Sequence, residues 1–212
     1  IRDKGAEVIR QSKKNNRLLV VLAGRPYHVD PLINQKTPEA LADLGVDVIT
    51  EDAVPLDNKI KLNDLQIISQ WSYTNRIYMA AKWVASQDHH VQFIELNSFG
   101  CGPDAIVIDE NTEILKLKGK ALTQIRVDEI TSTGSVRLRL RSMIESVKMM
   151  DLHKNERKHK RQNTPEFKPE DAGRVIIGPY FAYIYSELLP ALFKLAGYQM
   201  INLPEPDKES VK

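Results

Sequence analysis

Short apolar runs alternate along this chain with longer segments of helical periodicity. Four apolar runs predict strands at 17–23, 46–49, 91–96 and 121–127, and the first, which is continuous and rich in branched residues, predicts a fully buried strand. Segments of helical pattern predict helices at 2–15, 36–44, 63–86, 103 onward and 134–150. Strands that alternate with helices form a parallel sheet through right-handed crossovers. We therefore predict an α/β fold, a flavodoxin-like or Rossmann-like three-layer sandwich with a mainly parallel four-stranded sheet in the order 2-1-3-4.

The pattern changes after residue 150. Residues 151–173 begin with a strongly basic stretch that lacks interleaved aromatic residues, and we interpret them as a basic linker rather than a nucleic-acid patch. Residues 174–212 then predict strand, helix and strand, the start of a second βαβ unit. We expect residues 1–150 to form the main α/β domain and 174–212 to be a truncated second module. The first residue is Ile1 rather than Met, which favours a fragment of a longer chain.

Composition narrows the class of protein. The net charge is +2 and aromatic residues make up 7% of the chain, so we expect no nucleic-acid partner. No apolar run approaches the roughly 20 residues needed to span a bilayer, and no signal peptide is evident. The single cysteine, Cys101, cannot form an internal disulfide and fits a reducing compartment. We expect a cytoplasmic protein without membrane contact.

Ligands of open parallel sheets bind beyond the carboxyl ends of the strands. The loop after the first strand, residues 24–31, contains two prolines and a glycine and is predicted to be irregular. Arg25 could bind a phosphate or carboxylate, with Tyr27 beside it. His28 could titrate or bind metal, with Asp30 orienting it, which makes these two the candidate catalytic residues. The alternative is a rigid turn in which Tyr27 packs and Asp30 caps.

The loop after the third strand combines glycines with the cysteine. Gly100 and Gly102 let the backbone approach a ligand closely, and Asn97 and Ser98 could bind it. Cys101 precedes a helix start, where the helix dipole favours a thiolate that could bind metal. The alternative is a small buried thiol. A match to G-x-G-x-x-A is weak here, because it does not follow the first strand.

Two further groups of polar residues lie near the same edge. Asp128 and Glu129 follow the fourth strand and could hold a hydroxylated ligand, although an ordinary helix cap is an equal alternative. Asn75 and Arg76 could face the site while the neighbouring Trp71 packs in the core. The sequence contains no Walker motif, which argues against ATP binding through a P-loop.

Several segments together resemble a known family. They are Leu22–His28 with Asp30–Pro31, Thr50–Asp52, Trp71–Tyr73 with Asn75–Arg76, Asn97–Gly102 and Val127–Glu129. The set is similar to large bacterial proteins related to activators of 2-hydroxyacyl-CoA dehydratases, in which an ATPase-type activase region is followed by dehydratase-like regions. The resemblance covers about residues 15–150, and 174–204 look like the next similar module.

The resemblance implies an iron–sulfur context. Proteins of this type hold a [4Fe–4S] cluster through several cysteines, and an activase passes them an electron using ATP to drive loss of water from a 2-hydroxyacyl-CoA. By analogy Cys101 would be one thiolate ligand in the full-length protein. The activase residues are absent from this sequence, so ATP turnover is not implied. The isolated fragment is expected to be inactive and without cofactor.

The expected partners are other domains of the same longer chain and an acyl-CoA, and a homodimer is left open. The leading hypothesis is a dehydratase-like, non-ATPase module that contributes to an iron–sulfur or acyl-CoA site. One alternative is a non-catalytic scaffold or interaction module. Another is a flavodoxin-like binder of a small ligand that uses Gly100 and Gly102.

Overall fold

The structure is a computed structural model that describes residues 1–55, 60–67, 71–98, 102–127, 133–152, 165, 167–207 and 209. The chain divides into two compact units, residues 1–163 and 164–212. The predicted linker, 151–173, spans this division. Within the parts of the chain that the structure describes, none of the helices combines the length and apolar character that crossing a bilayer requires.

The first unit is built on a four-stranded sheet. Its strands are β1 Leu19–Ala23, β2 Asp47–Thr50, β3 Val91–Asn97 and β4 Leu122–Arg126. Its helices are α1 Arg2–Lys14, α2 Thr37–Asp43, α3 Ser72–Ser86, α4 Gly102–Lys116 and α5 Thr133–Leu152. Neighbouring strands are parallel throughout, in the order β2-β1-β3-β4. The predicted α/β class, strand order and flavodoxin-like layout are confirmed.

Alternate residues of the strands divide the core into two layers. Val21 pairs with Ile49 and Phe93, and all three face the side covered by α1, α3 and α4. Leu22 and Ile94 face the opposite side, which α2 and α5 cover. Because both faces of the sheet are covered, every residue of β1 and β3 is buried. This is the predicted three-layer sandwich.

Two segments differ from the sequence-based prediction. The helix predicted from residue 63 begins at Ser72, and residues 63 and 64 form a turn instead. Leu65, one of the apolar positions of that pattern, packs against the core although it lies outside α3, so its place in the pattern reflected burial rather than helix, and Ile68 lies outside the described residues. The loop predicted at 24–31 contains a short 3₁₀ helix, Pro26–Val29, because proline fixes a backbone angle suited to a helix start.

The second unit is a βαβ arrangement, as predicted for this segment. It comprises β5 Val175–Gly178, α6 Tyr183–Leu195 and β6 Gln199–Asn202, and its two strands are parallel. Pro190 lies inside α6 and has no N–H to donate to the Ser186 carbonyl oxygen one turn earlier. The Asn202 side-chain amide donates to that oxygen instead. The end of β6 therefore supplies the hydrogen bond that proline removes from the helix.

Two leucines of α5 test its packing against the sheet. Leu140 is 0% exposed and Leu138 is 70% exposed. We expect Leu140→Ala to lower the free energy of unfolding by about 2–5 kcal/mol, whereas Leu138→Ala should change it by less than about 0.5 kcal/mol. Urea unfolding followed by tryptophan fluorescence suits this comparison, because both tryptophans, Trp71 and Trp83, belong to the first unit. Equal losses in the two variants would contradict this packing.

Candidate functional site

The candidate site lies beside the central strand β1, where the strand order changes direction: β2 is added on one side of β1, and β3 and β4 are added on the other. β1 has β2 on one side and β3 on the other, so the loops that follow β1 and β3 diverge at their carboxyl ends. This switch point is where doubly wound sheets bind ligands. Arg25 and His28 come from the first loop, Ser98 from the second, and Asp104 from the first turn of α4. The structure brings these four side chains together.

An ion pair joins the β1 loop to α4. Nε and Nη2 of Arg25 each lie 2.8 Å from Oδ1 of Asp104, and the Asp104 side chain is buried. The hydrogen bond to Asp104 raises the pKa of Arg25 above its ordinary value. The guanidinium also lies over the Tyr73 ring, 5.6 Å from its centroid. Arg25 is therefore a fixed, permanently charged group.

His28 joins the β1 loop to the β3 loop. Its Nδ1 accepts a hydrogen bond from the Arg25 backbone N–H at 3.0 Å, and its Nε2 lies 2.9 Å from Ser98 Oγ. Burial lowers the pKa of His28 to about 4, so the ring is neutral at pH 7. A neutral ring that accepts at Nδ1 carries its proton on Nε2, which then donates to Ser98.

These contacts bear on the predicted pairing of His28 with Asp30. Both ring nitrogens of His28 bond to groups other than Asp30. Oδ1 of Asp30 accepts from the Leu32 backbone N–H at 2.8 Å instead. The structure thus places Asp30 in a local turn, which is the capping alternative, and places His28 as a link between loops. Catalytic roles for the two residues remain a prediction.

Gly24 is required by the position of the His28 ring. A Cβ atom at residue 24 would overlap His28 Nδ1 and would lie 3.0 Å from the Leu96 carbonyl oxygen. The backbone of Gly24 does not have a positive φ angle, so the need is for space rather than for an unusual conformation. Gly102, the first residue of α4, differs because a Cβ there would meet nothing within 4 Å.

Two carboxyl groups at this edge are buried, and the first of them, Glu95, was not among the predicted site residues. Glu95 lies inside β3, beside Ala23 of β1, and Glu51 follows β2. Burial raises the pKa of Glu95 to about 8 and that of Glu51 to about 7. Glu95 accepts a hydrogen bond from the Asn111 amide at 2.8 Å. A glutamate within the apolar run 91–96 was the signal that could have revealed this site.

A small cavity lies beneath the β1 loop. Its volume is about 60 Å³, enough for a few water molecules but not for a cofactor. Gly24, His28, Asn34, Thr50 and Glu51 are among its lining residues. These residues lie among a mainly apolar lining that also includes Leu22, Val29 and Leu96.

The start of α3 corrects one prediction. Trp71 does not pack in the core: 49% of it is exposed, and its ring stacks on Tyr73 with an interplanar angle of 8°. It precedes the first helical residue, outside the stripe of α3 that faces the sheet. Nη1 of Arg76, the fifth residue of α3, lies 2.9 Å from Oδ1 of Asp52. Asn75, the residue before it, is half-buried.

The other predicted site residues have different outcomes. Tyr27 is half exposed and contacts His28 edge-on. Asn97 is buried at the end of β3, where its carbonyl oxygen accepts from the Val127 N–H at 2.8 Å. Four predicted residues lie outside the described residues, so their roles stay predictions: Gly100, Cys101, Asp128 and Glu129. Among the side chains that the structure does describe, no group of three or more His, Cys, Asp or Glu could hold a metal ion.

Comparison with protein families gives one match. Residues 1–54 match the family described as CoA enzyme activase uncharacterised domain (DUF2229). The matched segment includes β1, the Arg25–His28 loop, β2 and Glu51. No curated protein matches the chain. The match covers 54 of 212 residues and supports a relation to CoA enzyme activases, with an activator-type function in general.

The space around Gly24 can be tested by adding one methyl group. We expect Gly24→Ala to lower the free energy of unfolding by about 1–3 kcal/mol, because the new Cβ forces His28 or β3 to shift. Gly102→Ala is the matched control and should change stability by less than about 0.5 kcal/mol. Tryptophan fluorescence during urea unfolding measures both. A Gly24→Ala variant as stable as the control would contradict the close approach.

The protonation of His28 gives a second test. We expect ¹⁵N NMR to show the proton on Nε2 at pH 6, with protonation of Nδ1 only near pH 4. The unfolded ring has a pKa near 6.5, so the unfolded state binds more protons between about pH 6.5 and 4. Stability should therefore fall as the pH is lowered through this range, and less so in His28→Gln. A ring that carries its proton on Nδ1 would refute the assignment.

Proposed function

We propose that this chain is a dehydratase-like, non-ATPase module of a protein related to the activators of 2-hydroxyacyl-CoA dehydratases, such as that of (R)-2-hydroxyglutaryl-CoA dehydratase. It would contribute Cys101 to an iron–sulfur or acyl-CoA site at the carboxyl edge of the sheet. The family match of residues 1–54 supports the activase relation. The observation that carries the site is the pair of contacts across the switch point, Arg25 with Asp104 and His28 with Ser98.

These contacts hold both flanks of the cysteine segment. Residues 99–101 lie outside the described residues, but Ser98 before them and Asp104 after them are each held by one of these contacts. Asp104 lies three residues after Cys101, and an uncompensated carboxylate would disfavour a thiolate nearby. The Arg25 guanidinium balances that charge. A carboxylate balanced in this way suits the thiolate that we propose for Cys101.

The chain by itself does not fit a [4Fe–4S] cluster. Such a cluster is held by four thiolates, and this sequence contains one cysteine. The described residues also form no alternative group of metal ligands. We therefore propose that Cys101 supplies one ligand and that other polypeptide segments supply the rest. An acyl-CoA would then bind against the same edge.

Iron analysis of the full-length protein tests this proposal. After purification without oxygen, we expect the protein to contain iron and sulfide in similar amounts and to be brown. Cys101→Ser should lose most of the iron, since a cluster depends on each of its thiolates. Ser142→Ala, an exposed position of α5, is the control and should keep it. Iron-free wild-type protein, or iron retained in Cys101→Ser, would overturn the iron–sulfur proposal.

A scaffold or interaction module is the second candidate. It is favoured by one observation: both ring nitrogens of His28 are already engaged in holding the loops together. The hydrogen bonds of His28 can serve to hold the conformation of the loops without any part in catalysis. Iron-free wild-type protein would favour this candidate over the first.

A further inference from the structure

A flat aromatic surface flanked by two arginines lies at the start of α3. Trp71 stacks on Tyr73 with ring centroids 6.1 Å apart, and Arg25 lies over the Tyr73 ring. Arg76 is three residues after Tyr73 on the same helix, so the two side chains share a face. We call these four residues the Trp71 platform. It combines a π surface with two cations.

Packing does not account for the position of Trp71. Trp83, on the same helix, is 8% exposed and belongs to the core, whereas Trp71 is 49% exposed. Trp71 also makes no side-chain cap for α3. A large exposed aromatic residue with an ordered stacking partner is typical of a surface that binds another molecule.

Each arginine of the platform is paired with one carboxylate. Arg25 is held in place by Asp104. Arg76 contacts Asp52 through Nη1, and both side chains remain more than one-third exposed. A guanidinium has five N–H donors, so this contact leaves Arg76 able to bind phosphate as well. The first turn of α3 contains no acidic residue that would repel one.

We propose that the Trp71 platform binds a small ligand in which a planar heteroaromatic ring is joined to phosphate. The ring would stack on Trp71, and the phosphate would bind Arg76. This inference rests on the proposed function in one respect: the nucleotide end of an acyl-CoA is such a ligand, and free nucleotides share its chemistry. The platform has one exposed tryptophan and the chain a net charge of +2, which suits one base rather than a nucleic-acid strand.

Binding can be followed through Trp71 itself. In a Trp83→Phe chain, Trp71 is the remaining tryptophan, and its fluorescence reports stacking directly. We expect ADP and coenzyme A to quench it with saturation, and adenosine and inorganic phosphate to bind at least about tenfold more weakly, because each lacks half of the ligand. Isothermal titration of the unmodified chain gives the same comparison if Trp83→Phe folds poorly. Coenzyme A binding much more tightly than ADP would identify CoA as the source, and equal affinity would indicate recognition of the shared nucleotide end.

Substitutions then separate the two contributions. Trp71→Leu should weaken ADP binding about tenfold, as expected for loss of base stacking. Arg76→Gln should weaken ADP but not adenosine. Arg17→Gln is the control, because Arg17 forms a comparable exposed ion pair with Asp47 at the opposite edge of the sheet. Asp52→Asn should tighten ADP binding, since it removes the carboxylate that competes with phosphate for Arg76.

The outcomes are distinct from those of the iron test. Absence of quenching by millimolar ADP and coenzyme A, or unchanged ADP affinity in both Trp71→Leu and Arg76→Gln, would overturn the platform. Cys101→Ser should bind ADP like the unmodified chain, because the platform does not involve the cysteine. If the iron proposal fails, the nucleotide-binding result is therefore unaffected. If the nucleotide-binding test fails, the iron proposal is likewise unaffected.

Discussion

The position of β1 in the middle of the sheet is the constraint on which the first unit depends. β1 pairs with β2 on one edge and with β3 on the other, and helices cover both of its faces. Its carboxyl end is thus fixed from four directions. Gly24 leaves it beside the Leu96 carbonyl, and Arg25 and His28 reach across to the β3 loop and α4. The position of this one strand therefore sets the geometry of the candidate site.

Burial of polar groups at this edge is compensated by protonation and pairing rather than by solvent. His28 is kept neutral, Arg25 is paired with Asp104, and the raised pKa values of Glu51 and Glu95 reduce their negative charge near neutral pH. A buried region with few net charges avoids the large cost of desolvating isolated ions. The polar groups can therefore lie next to the apolar core without disrupting it.

Much of the fold was predictable because its strands are continuous apolar runs. The runs around Val20 and Phe93 can be buried only in a sheet covered on both faces, and their alternation with helices fixes the parallel order. The start of α3 was not predictable, because Leu65 packs against the core from outside the helix. An apolar residue at that position fits a helical pattern equally well. The local sequence pattern indicates which residues are buried, but it does not indicate the backbone conformation that buries them.

The site was predicted less completely for the same reason. Arg25, His28 and Ser98 could be gathered from their positions after strands, but their partners depend on distant segments. Asp104 is 79 residues from Arg25 in the chain. The exposure of Trp71 depends on where α3 begins, and the burial of Glu51 depends on where β2 ends; residue composition determines neither. Side chains whose role is set by distant neighbours need the three-dimensional structure.

Glu95 gives the first unit a chemical property beyond shape. Its pKa is about 8 in the folded chain and near 4.3 in an unfolded one, so the folded state binds more protons between these values. Folding at neutral pH consequently takes up a proton from solvent, and the free energy of unfolding falls as the pH rises from about 4.3 to about 8. His28 acts in the opposite direction at low pH. Between about pH 4 and pH 8, therefore, the His28 ring is neutral and the Glu95 carboxyl group is protonated, so neither adds a charge to the buried edge of the sheet.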